Sequence, residues 1–142
     1  MKILRIRSLE GRWVDKDEVL LHAAFQLLQD FVDQERPEET IDWKHDATHA
    51  RAWREISSLY RWWRKTRPAR RSPLDDEQIK RPPMCFEPVP NSTMRRLVPY
   101  DRKKYGAYNR AVRQHFQLEE KWHAEDQRNL HRLVEIRPYL WT

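Results

Sequence analysis

Seven of the nine prolines in this 142-residue chain fall between positions 68 and 99, with Pro82 and Pro83 adjacent. Proline lacks a backbone donor and clashes with the preceding helical turn, so neither a continuous helix nor a central strand can run through that stretch. The chain therefore reads as regular structure flanking a Pro-rich irregular connector, residues 68–99. A connector of this length in a compact domain is either functional or disordered. The total length suits a single domain, residues 1–142, with one small core.

Helical periodicity dominates the flanks. From Asp17 to Glu35, acids crowd the first turn, Pro37 closes the end, and Leu20, Leu21, Ala24, Phe25, Leu27, Leu28, Phe31 and Val32 fall on one broad apolar face expected to pack in the core. A second helix is expected from about Asp46 to Arg67, stopped by Pro68, with Trp53, Ile56, Tyr60 and Trp63 inward. A third is expected from about Asp101 to Arg137, ending before Pro138. Residues 1–15, partly alternating between apolar and basic, suggest an edge strand or extended arm. The expected fold is all-α. Three main helices form a small bundle around Phe25, Leu28, Phe31, Trp53, Ile56, Tyr60, Val112, Phe116 and Leu130, and the apolar tail 139–142 docks on the body.

Two glycines, Gly11 and Gly106, are too few and too far apart for a phosphate loop, a dinucleotide fingerprint or a Gly-x-Ser-x-Gly turn. Cys85 alone can form neither an intramolecular disulfide nor a thiolate zinc cage, and it reads as a buried small hydrophobe. No apolar run is long enough to span a bilayer, so no membrane partner is expected. With no charged-then-apolar leader at the start, the expected setting is a reducing cytoplasm.

Charge is segregated along the chain. Residues 15–39 carry eight acids against Lys16 and Arg36, whereas residues 44–71 carry nine bases against Asp46 and Glu55. Within the basic stretch, Arg51, Arg54, Arg61 and Lys65 fall opposite the apolar face of the second helix, with Trp62 at their edge. Arg67, Arg70 and Arg71 extend the stripe into the connector. Guanidinium groups beside an exposed indole suit nucleic acid, neutralising phosphates and stacking a base. An acidic protein surface would fit the same charges. The plain alternative is a solvated face, or one paired with the acidic helix of the same or another copy.

A polar cluster interrupts the third helix. Glu119, His123 and Asp126 continue its apolar stripe, while His45 and His49 lie on the apolar side of the second helix. Together they could hold zinc, manganese or iron and support metal-dependent hydrolysis. Otherwise these groups bond one another, or Glu119 and Asp126 pair with arginines such as Arg51 or Arg128. His22, His115 and His131 read as surface residues.

The segments LLHAAFQLLQDFVDQE, WREISSLYRWWRKTRPAR followed by SPLDD, and LVEIRPYLWT resemble small proteins encoded by tailed bacteriophages. That resemblance implies a phage origin, with host cytoplasm or virion as the setting, and brings no activity or site residues. The resulting expectation is a non-enzymatic accessory protein that binds nucleic acid or an acidic host protein and takes no cofactor. A metal-dependent hydrolase, and a structural virion or oligomer component whose acidic and basic helices mate between copies, stand as alternatives.

Overall fold

The structure is a computed structural model, and it describes residues 4–11 and 13–140. It is mostly helical. Helix α1 spans Lys16–Glu35, the short α2 Pro37–Thr40, α3 Ala47–Arg61 and α4 Gly106–Ile136; strands β1, Phe86–Pro88, and β2, Arg95–Leu97, form a small antiparallel sheet. Two compact units are present: residues 71–122 make one, and the segments on either side, before 71 and after 122, make the other. No helix among the described residues is long and apolar enough to cross a membrane.

Local sequence explains the helix ends of the first unit. Asp17 and Glu18 sit in the first turn of α1, where carboxylates favour the helix N-terminus. Arg36 turns left-handed at φ 46°, and Pro37 then occupies the first position of α2, where its missing N–H costs nothing. Asp46 caps α3, its carboxylate accepting the His49 N–H at 2.8 Å. Beyond Arg61 the winding widens into a π turn at Trp62–Thr66 and then tightens into a 3-10 turn at Arg67–Ala69. Pro68 has no N–H to continue the regular ladder, so the expected helix to residue 67 changes its winding instead.

Phe25, Leu28, Ile56 and Leu59 form the centre of this unit's core, joined by Trp43, Trp62, Trp63, Leu133 and Ile136. Trp53, Tyr60, Leu130, Tyr139 and Leu140 pack around it half-buried. The tail thus docks through Tyr139 and Leu140, while Trp141 and Thr142 lie outside the described residues. Phe116, expected in the core, is 59% exposed, and the helical contribution comes from later turns of α4. Residues 4–11 form no strand; a 3-10 turn at Arg7–Leu9 is pinned to α1 by the Arg7 N–H on Gln26 and by the Arg7 guanidinium 2.8 Å from Asp30. The rest of the expected arm, residues 1–3 and 12, lies outside the described residues.

In the second unit the prolines permit only short elements. Strand register pairs Phe86 with Leu97, Glu87 with Arg96 and Pro88 with Arg95. The expected connector therefore contains a minimal hairpin. Cys85, expected to be buried, is exposed beside it.

Candidate functional site

The basic stripe divides into an open part and a locked part. Arg51, Arg54, Arg61 and Lys65 are exposed. Arg54, Ser57, Ser58 and Arg61 follow i, i+3, i+4, i+7 spacing and so share one side of α3. Together with Trp53, Trp62 and Thr66 they line a cleft of about 510 Å³ whose lining contains no acid. Ser58 Oγ accepts from Arg132 at 3.1 Å, which leaves its own O–H free to donate. Arg51 instead lines a neighbouring cleft of about 420 Å³ with Glu55 and Glu135. Arg61 and Lys65 also border a third cleft with Glu38 and Arg64, and Arg64 reaches Asp33 at 3.5 Å.

Arg67 and Arg70 belong to the locked part. Asp126, 8% exposed, accepts from Arg67 Nη2 at 3.1 Å and from Arg70 Nη2 at 2.7 Å. Glu18 lies 3.4 Å from Arg67, and Glu125 lies 2.6 Å from Arg70. The Arg67 guanidinium sits 4.9 Å above Trp63 and that of Arg70 5.7 Å above Trp62, so both cations are sandwiched between indole and carboxylate. Burial works against the Arg70 charge, but its hydrogen bonds to Asp126 and Glu125 outweigh it and raise the pKa. Arg71 is exposed and also has a partner.

Trp62 corrects the expectation of an exposed stacking surface. It is only 7% exposed, its indole N–H has no acceptor among the described residues, and it packs against Phe25 and Trp63. Residues adjacent in a regular helix point about 100° apart. The π turn beginning at Trp62 accompanies the burial of both neighbouring indoles.

His22, expected at the surface, is buried beside the same network. Its ring contacts Ser8 Oγ at 2.7 Å, Glu18 at 3.3 Å and Arg67 at 3.4 Å, and packs edge-on against Trp63. Burial first, and then the Arg67 charge, lower its pKa, making it a poor proton acceptor.

The five candidate metal ligands have other surroundings. His45 is exposed rather than inward, and His49 lies 2.8 Å from Asp46 with its ring against Tyr139. Glu119 pairs with His115 at 3.2 Å, which is itself half-buried and bonded to Ser72. His123 is exposed at a shallow hollow with Asp17, Glu18 and Asp126, and Asp126 is held by the two arginines. Among the described residues, no three His, Cys, Asp or Glu side chains are grouped to hold a metal ion. An arginine partner for Asp126 was legible from its place in an apolar stripe. Which arginines was not, because Arg67 is 59 residues away. Compared with known proteins, the chain matches no family model, no curated protein and no solved structure.

Proposed function

We propose that this is a non-enzymatic protein that binds the phosphate backbone of nucleic acid, without reading base sequence, through the outer face of α3. One observation carries the reading: the cleft between Arg54 and Arg61 offers two exposed guanidinium groups and three hydroxyls with no acid in its lining. Arginine, serine and threonine are the side chains that position phosphates. Seven residues along a helix span roughly 10 Å, so the two arginines can meet different phosphates of one strand. Burial of Trp62 removes the base-stacking element, which supports backbone contact over sequence recognition. The resemblance to tailed-phage proteins suggests infected host cytoplasm as the setting.

Anisotropy titration of a labelled oligonucleotide tests this, comparing the native chain with Arg54→Glu/Arg61→Glu between about 50 and 200 mM salt. The double variant is expected to bind at least about tenfold more weakly, with a salt slope shallower by about 2. Unchanged affinity and slope would remove α3 from the interface.

A further inference from the structure

A second carboxylate-poor cationic surface lies in the unit formed by residues 71–122. Residues 95–113 hold seven bases, and Asp101 is their only acid. Arg95, Arg102, Lys103, Lys104, Arg110 and Arg113 are all exposed, and none of them makes an ion pair among the described residues. Arg96 alone is matched, by Glu87 across the hairpin. A run of like charges is ordinarily just a solvated face. Here the run is built into a fixed turn.

Asp101 Oδ1 accepts the backbone N–H of Lys103 at 2.9 Å and of Lys104 at 3.3 Å. Asn109 then ties the turn to α4: its amide donates to the Arg102 carbonyl at 3.1 Å, and its oxygen accepts from Tyr100 Oη at 2.6 Å. The Tyr105 ring, buried beneath, stacks edge-on with Tyr100 and carries the Lys104 ammonium 5.7 Å from its centre. These hydrogen bonds tie residues 100–104 to Asn109, and a backbone already held by its own contacts has less entropy to lose on binding.

We propose that residues 95–113 form a separate phosphate-contacting surface for a nucleic acid strand. It shares with the α3 reading only the class of ligand. Six of its seven cations, four arginines and two lysines, are exposed and have no carboxylate partner among the described residues. Arginine and lysine both bind phosphate, and cations spread along one segment suit the successive phosphates of a backbone.

The test uses the full chain, a labelled oligonucleotide, and polyglutamate as competitor. Two variants are made: Arg102→Glu/Lys103→Glu in the turn and Arg110→Glu/Arg113→Glu on α4. The second leaves the turn's hydrogen bonds in place and decides the matter if the first does not fold. Each is expected to weaken binding by about tenfold or more and to make the salt slope shallower by about 2. Native affinity and slope in the folded variants would overturn the proposal, whatever Arg54→Glu/Arg61→Glu does. Polyglutamate competing as well as unlabelled oligonucleotide would also overturn it, in favour of an acidic protein partner. Loss of binding in these variants but not in Arg54→Glu/Arg61→Glu would support this surface and reject the α3 face.

Discussion

Arg54 and Arg61 stand on the same stretch of chain as Arg67 and Arg70, yet the first pair faces an acid-free cleft while the second is closed in by three carboxylates and two indoles. Residue type cannot explain the difference. Asp126 arrives from α4 and Glu18 from α1, and both meet the chain only after its winding has changed beyond Arg61. The lesson is that arginine in a basic stripe serves structure where folding delivers a carboxylate and is free for a partner where it does not.

Removing the shared carboxylate should show the largest effect. Asp126→Ala leaves two largely buried guanidinium groups short of an acceptor, and a loss of about 3 kcal/mol is expected in urea unfolding. A loss below about 0.5 kcal/mol would place the locked pair with ordinary surface charges and erase the contrast.

Arg67→Lys keeps the charge but removes the planar donors and the stacking on Trp63. It should cost about 1 to 2 kcal/mol, whereas Arg61→Lys should leave the unfolding midpoint unchanged.

A smaller effect is expected from pH. The His22 pKa is lowered in the folded state, chiefly by burial and then by Arg67, and less strongly opposed by Glu18 and Asp126; Ser8 and Trp63 complete its surroundings. The unfolded chain therefore binds this proton more readily. Stability from this group is complete above the unfolded value of about 6.5 and is lost as pH falls through the folded pKa. His22→Gln should flatten that part of a melting-temperature profile against pH. An equally steep profile would assign the dependence to other groups.

The smallest change in stability belongs to the open pair. Arg54→Glu/Arg61→Glu should shift stability by no more than about 0.5 kcal/mol while weakening oligonucleotide binding. A large drop in stability would show that these arginines, too, support the fold.

Elements governed by neighbours in sequence were legible without coordinates. Apolar spacing placed Phe25, Leu28 and Ile56 inside, although it also counted Leu20 and Leu27, which are exposed, and Pro37 and Pro68 marked where helical winding must stop or change. Prolines excluded a continuous helix or central strand from the middle of the chain but did not foretell its short hairpin, and the exposure of Arg51, Arg54, Arg61 and Lys65 followed from the helical wheel.

Local periodicity carries that information because a helix repeats the same geometry every few residues. It carries none about partners distant in sequence. The burial of Trp62 and His22, the capture of Arg67 and Arg70 by Asp126, and the dispersal of the five candidate metal ligands were decided by tertiary structure. Each depends on where separate elements deliver charge and volume, and the energy of a charge is set by the groups packed against it rather than by its neighbours along the chain.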